Sequence, residues 1–236
     1  MKTLILSLFL ISLFVSVFAQ KESHWQLKVG LHHSNMIFHH LPFPDLGTLY
    51  DSTGQFVGFL TGYGGGHFQY RLAPNVMVYK EKQYKNWLHL LVGIGYRQRG
   101  YLASKFYGIA YGANYPQGIP IKEDIETRLH YLSSDWVLRF NITKGFYVMA
   151  AGRADLLLHK KTAAAHEYIA NSLTSVEISP VLTIGKQINL CDYQLLIEFE
   201  VNRGLQNVSK IKSDFQSMPP TKVWNMSYGF NLGLRL

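Results

Sequence analysis

Four consecutive residues, His32, His33, Ser34 and Asn35, carry the side chains most readily read as catalytic. An imidazole that takes the proton of a serine hydroxyl creates a nucleophile, provided a carboxylate orients the ring. His32 and Ser34 are two apart, so in an extended chain both project from one face. Asp45 is the next acid along the chain, and no glutamate follows until Glu81. The plainer expectation is a pair of polar residues at the rim of a strand in a non-enzymatic protein.

A metal centre is the other chemistry these residues suggest, since His24, His32, His33, His39 and His40 crowd one region. Adjacent strand residues point to opposite faces, which keeps His32 and His33 from sharing an ion. Neither cysteine nor a set of carboxylates lies near enough to complete a shell. No metal and no cofactor are expected. Cys191 is the single cysteine, so no internal disulfide can form, and a small residue in a turn is its expected role. The formal charge is +8 without any basic run. That pattern fits contact with anionic lipid head groups better than nucleic-acid binding.

The elements that would position these side chains are strands. From Trp224 to Leu236 the chain alternates strictly: Trp224, Met226, Tyr228, Phe230, Leu232, Leu234 and Leu236 on one parity, polar or small residues on the other. At the other end, Lys2 followed by the apolar run Leu4–Phe18 and Val17-Phe18-Ala19 reads as a signal peptide over residues 1–19. Residues 20–236 are left as one domain. Nearly half the chain is apolar (47%) and only 16% is charged, yet no later run is long enough for a spanning helix. Apolar residues spread by alternation suit a closed barrel, which satisfies every backbone group in lipid.

Seven further strands are expected: Trp25–Leu31, about 56–70, 88–99, 129–140, 146–158, 173–184 and 193–202. The second is interrupted by Gly62, Gly64, Gly65 and Gly66, and the sixth contains Pro180. Residues 76–85 either lengthen a turn or extend the third strand. Connections alternate between long and short. The fold class is therefore all-β: an eight-stranded antiparallel transmembrane β-barrel with long extracellular loops and short periplasmic turns.

Alternation alone also permits a soluble barrel with the apolar face inside. Three features favour the inverse. One parity is rich in Gly, Ser and Asn, as a narrow lumen needs. Trp25, Phe140, Phe146 and Tyr193 gather near the short turns, with Tyr96 and Trp224 at the opposite rim, as membrane-interface aromatics do. The leader fits export. The inward parity then holds Lys28, Arg97, Arg99, Arg139, Arg153 and Arg235 against Asp135, Asp155, Glu177, Glu198 and Glu200. Eight strands enclose just enough room for side chains. An ion-paired, closed lumen is expected rather than a pore. Loops 35–55 and 100–127, rich in Tyr, Phe and Pro, read either as a protein-partner site or as residues that extend the strands beyond the bilayer or fold back over the barrel mouth.

Two resemblances bear on function. His32-His33-Ser34-Asn35 resembles the His-x-Ser-Asn stretch of lipid A deacylases, which implies a lipid A-modifying alternative using His32 and Ser34. Gly93-Ile94-Gly95-Tyr96-Arg97-Gln98-Arg99-Gly100-Tyr101, with Gly145-Phe146-Tyr147, resembles the PorT-like outer-membrane β-barrel family. That resemblance implies a small porin-like barrel without known catalytic residues, in the outer membrane of a Gram-negative bacterium among lipid and lipopolysaccharide. It also implies an accessory role in a secretion or gliding apparatus. Strand four departs from the family pattern at Ser133-Ser134-Asp135.

Overall fold

A computed structural model of the chain describes residues 23–39, 47–50, 56–60, 69–112, 115–162, 167–191, 193–205, 208 and 222–236. The expected leader, residues 1–19, lies outside them. Eight strands close into one antiparallel barrel: β1 (Ser23–His39), β4 (Arg71–Lys85), β5 (Leu88–Gly112), β6 (Tyr115–Thr143), β7 (Phe146–Lys161), β8 (Val176–Leu190), β9 (Tyr193–Arg203) and β10 (Lys222–Arg235). Each pairs with its neighbours in order. β1 completes the ring, pairing with β10 (Val29↔Leu232) and with β4 (Val29↔Val76). Between β1 and β4, β2 (Gly47–Tyr50) and β3 (Phe56–Leu60) form a separate hairpin. A short helix, α1 (Glu167–Ser172), links β7 to β8.

The apolar parity is outside. Leu31, Leu182, Ile184 and Phe230 are each about 60% exposed (58, 62, 62 and 65%), while Asp135, Arg153 and Asp155 are at most 1% exposed. A band of such side chains cannot sit in water as one contiguous surface without aggregation. On β8 it runs from Val176 to Ile184, roughly 26 Å along the strand at 3.3 Å per residue, enough to cross hydrocarbon when tilted. The molecule is a membrane-spanning barrel.

The structure corrects several element boundaries. The second barrel strand is Arg71–Lys85, not 56–70; only Phe56–Leu60 of that segment is a described strand, and it belongs to the β2–β3 hairpin. In β4, Leu72, Val76 and Val78 alternate outward against Ala73, Asn75, Met77 and Tyr79 inward. The expected turn at 71–75 is thus strand. Leu173 likewise lies before β8 rather than within it. Segment 100–127, read as a loop, is mostly strand: β5 and β6 stay paired as far as Gly112↔Tyr115.

The connections opposite this ribbon are tight. Asn86-Trp87 and Lys144-Gly145 are two-residue turns, and β8 and β9 are separated by Cys191 and residue 192. Lys144 (φ 29°) and Gly145 (φ 87°) are both positive, as the favoured two-residue hairpin turns require. Pro180 is tolerated for a local reason. The Ile178 carbonyl accepts from Leu205 N–H on the β9 side, so Pro180, two residues on, directs its missing donor the same way. There the regular β8–β9 ladder has already ended at Val181↔Asn202.

Inside, glycines make room for tyrosines. Tyr79 faces Gly93 and Tyr147 faces Gly185 across adjacent strands, and any Cβ at either glycine would strike the ring. The outward orientation gives a direct expectation for the tryptophans. Trp25, Trp87 and Trp224 sit at the rims, whereas Trp136 pairs with Gly152 in mid-wall. Lipids brominated midway along their chains should quench the protein's fluorescence, and Trp136→Phe should remove most of that quenching. Unquenched emission would mean that the apolar face is not in lipid.

Candidate functional site

Every second residue of the eight strands projects into the lumen, so the chemistry-bearing side chains meet there. At its centre Arg153 (β7) grips Asp135 (β6) with Nε and Nη2 at 2.7 and 3.0 Å and reaches Glu200 (β9) with Nη1 at 2.8 Å. Arg97 on β5 spans to the opposite wall, its Nη1 3.1 Å from Glu200 Oε1. Tyr79 donates its hydroxyl to Asp135 Oδ2 at 2.7 Å. Asn231 stands between Glu200 and His32, its Nδ2 3.3 Å from Glu200 Oε2 and its Oδ1 3.0 Å from His32 Nε2. The planar guanidinium fork can bind one carboxylate through two parallel hydrogen bonds and still reach a second, a geometry that lysine's ammonium lacks.

Layers above and below repeat the motif. Toward the long-loop side Arg99 lies 2.5 Å from Asp155 and 3.0 Å from Glu177, which also accepts from Asn225 at 2.5 Å. Ser133 donates to Asp155. Toward the short turns Lys28 and the Tyr147 hydroxyl converge on Glu198 Oε1 at 2.6 and 2.7 Å. Lowest of all, Glu81 is surrounded by His89 (2.6 Å), Arg235 (2.8 Å), Arg139 (3.8 Å) and Gln26. Arg139 also lies 3.8 Å from the centroid of the Tyr147 ring.

The structure places all eleven lumen charges named from sequence on the inside, Arg235 being partly exposed at the short-turn mouth, and each has a partner. Sequence reasoning missed the twelfth, Glu81, because its strand was left unassigned. Glu81 makes the set six carboxylates against six cations. The tyrosines were also missed; the available signal was a tyrosine on the inward parity. Apolar clusters fill what remains. Met77, Leu91, Val137, Met149 and Leu196 pack in the lower lumen, and Met36, Tyr101, Leu129, Tyr131, Leu173, Val208 and Val223 close the upper mouth.

The six interface aromatics all lie outside: Trp25, Tyr96, Phe146 and Tyr193 exposed, Phe140 and Trp224 half-buried. Phe140 stacks on Trp87, which sequence reasoning did not single out. On the upper rim Tyr96 meets His130 Nδ1 through its hydroxyl at 2.7 Å. Arg71 and Arg128 there share Glu126 at 2.8 and 2.6 Å. The hydrogen bond from Arg128, seconded by Arg71, outweighs partial burial and holds the Glu126 carboxyl below its ordinary range.

His32 and Ser34 do not form a catalytic pair open to lipid. Both are buried in the lumen, and Ser34 Oγ accepts from Gly100 N–H at 3.1 Å. Gly100 has φ 138°, and a Cβ there would strike the Thr127 carbonyl. Ser34 thus ties β1 to β5 at a backbone conformation that favours glycine. Among the described residues no three His, Cys, Asp or Glu side chains converge as a metal shell would.

Removing a partner from the central layer should be costly and removing Ser34 cheap. Arg153→Ala leaves Asp135 and Glu200 short of a cation and should destabilise the barrel by about 3–5 kcal/mol. Ser34→Ala removes one neutral hydrogen bond, about 1 kcal/mol. Urea unfolding in lipid vesicles checks both, and similar midpoints would contradict the ranking. With the lumen filled, planar bilayers containing the protein should show no steady porin-sized conductance.

No family model matches the chain, and no curated protein matches it. Among solved structures it is similar to Ail, the attachment invasion locus protein of Yersinia pestis, at 10% identity over 92% of this chain and all of Ail (100%), with TM-score 0.36. It is similar to Neisserial surface protein A at 10% identity over 92% of this chain and 99% of that one, TM-score 0.40. Outer membrane protein OprG of Pseudomonas aeruginosa follows at 8% identity, 92% and 97% coverage, TM-score 0.39. The fold stands on the strand pairing and the apolar exterior; these similarities add nothing about activity.

Proposed function

We propose that this chain is an integral outer-membrane barrel that performs no catalysis and acts by presenting its β5–β6 ribbon to a protein partner. The observation that carries this reading is the pairing of the ribbon. β5 leaves β4 at Arg97↔Asn75, with one further bridge at Leu102↔Gln69, and β6 leaves β7 at Arg128↔Lys161. Beyond those points, residues 103–112 and 115–126 pair with each other and with no other described strand. At 3.3 Å per residue the ribbon projects roughly 30 Å. Among the described residues both its edges lack a paired strand, and such an edge is the template for strand addition by another chain.

The accessory role in secretion implied by the PorT-like resemblance gains support from one detail. The Gly93–Tyr101 stretch that carries the resemblance contains Gly100 (φ 138°) and spans the point where β5 parts from β4 after Arg97↔Asn75. Lipid A modification gains no such support, since His32 and Ser34 are enclosed.

The test compares the tagged full chain with a variant whose residues 104–124 are replaced by an Asn-Gly turn. Both are purified in mild detergent from their own membrane and analysed by quantitative mass spectrometry. A stoichiometric partner should accompany the intact chain and be lost from the variant, whose barrel still shows a heat-dependent gel shift. Absence of a partner, or its retention by the variant, would overturn the proposal. Lipid A from a deletion strain should keep its acyl pattern.

A further inference from the structure

The two rims of the barrel differ chemically. On the long-loop side, the outward rings pair with histidine: Tyr228 stacks with His33 at 5.5 Å and Tyr96 lies against His130 at 5.9 Å. On the short-turn side they pair with lysine. Lys80 Nζ is 5.6 Å from the Trp25 ring centroid, Lys82 Nζ 5.8 Å from Tyr84, and Lys85 Nζ 5.6 Å from Trp87. These three pairs occupy one sector, the end of β4 with its β1 neighbour and the following turn. Register places Trp25 opposite Lys80 and Ser23 opposite Lys82.

Glu81 is the one acid of β4, and it does not offset this charge at the surface. It points into the lumen, fully buried, with its carboxylate taken up by His89, Arg235 and Arg139. The outer face of the sector thus carries the ammonium groups of Lys82 and Lys85, with Lys80 buried against Trp25, directly below the apolar side chains of Leu27, Val29, Val76 and Val78. Lys82 and Lys85 are three residues apart, about 10 Å along the strand, so two flexible side chains can converge on one phosphate. The rings beneath lie at the depth of the glycerol backbone, where Trp and Tyr are favoured.

We propose that this sector is a binding site for an anionic diacyl phospholipid in the leaflet on the short-turn side. Its phosphate is taken by Lys82 and Lys85, with the buried Lys80 adding charge behind them, and its chains lie along the outer face of β1 and β4. The lysines supply charge attraction to the head group, and the apolar wall discriminates a lipid from a free phosphate. The proposal rests on the barrel spanning a bilayer and is independent of any partner at the ribbon.

The full chain in detergent, equilibrated with equal amounts of phosphatidylglycerol and phosphatidylethanolamine, tests it by native mass spectrometry. The expected result is retention of phosphatidylglycerol several-fold over phosphatidylethanolamine. The Lys80→Gln/Lys82→Gln/Lys85→Gln variant should lose that preference, and millimolar glycerol 3-phosphate should leave it intact in the parent chain. Because Lys80 is largely buried, Lys82→Gln/Lys85→Gln provides a second variant, expected to lose most of the preference while keeping the heat-dependent gel shift of a folded barrel. Equal retention of the two lipids, a preference unchanged in the folded variants, or displacement by glycerol 3-phosphate would overturn the proposal. Loss of the gel shift in the parent chain would instead count against the spanning barrel itself.

Discussion

The structure depends on pairing charge across a lumen too narrow for bulk water. Eight strands leave an interior that side chains must fill, and an ion placed there without a partner is severely penalised. Arg153 between Asp135 and Glu200, and Arg97 reaching Glu200 from the opposite wall, meet that condition only if β5, β6, β7 and β9 hold one register. A slip of one residue would exchange the faces, putting Arg97, Asp135 and Arg153 into lipid and Ile94, Trp136 and Gly152 into the lumen. The ion pairs therefore specify the register. The wall's own hydrogen bonds, identical in kind at any register, do not.

The same constraint explains the tyrosine–glycine pairs. A tyrosine can lie flat across the lumen only where the facing strand lacks a side chain, as at Gly93 and Gly185. Its hydroxyl then reaches a carboxylate that has spare acceptor capacity: Asp135 for Tyr79, Glu198 for Tyr147. Room, packing and hydrogen bonding are met by one side chain each.

Much of this was legible from sequence because period-two alternation reports directly which residues share a face. It succeeded in β1, β7, β9 and β10, where the two parities differ sharply in polarity. It held also in β5, where Leu90-Leu91-Val92 is apolar on both faces because Leu91 belongs to an internal cluster. It failed where the residues suggested a turn. In β4, Pro74 and the glycine run upstream suggested a turn, hiding Glu81 and Tyr79. The ribbon was legible only as one alternative for segment 100–127, because its tyrosines and glycines resemble a loop although aromatic residues favour strands. Ser34 could not be placed from sequence, since its role lies in a contact with Gly100, 66 residues away.

Filling the lumen also locates what function the chain has. Among the described residues the interior is packed and its charges paired, which is why the proposed role is placed on the exterior and on what rises above the wall. Closure abolishes edges around the ring, yet the β5–β6 ribbon restores two of them. An isolated two-stranded ribbon is marginal in water, and natural proteins normally protect such edges. Among the described residues no strand covers the edges of this ribbon, and the proposed partner would supply the pairing that protects them.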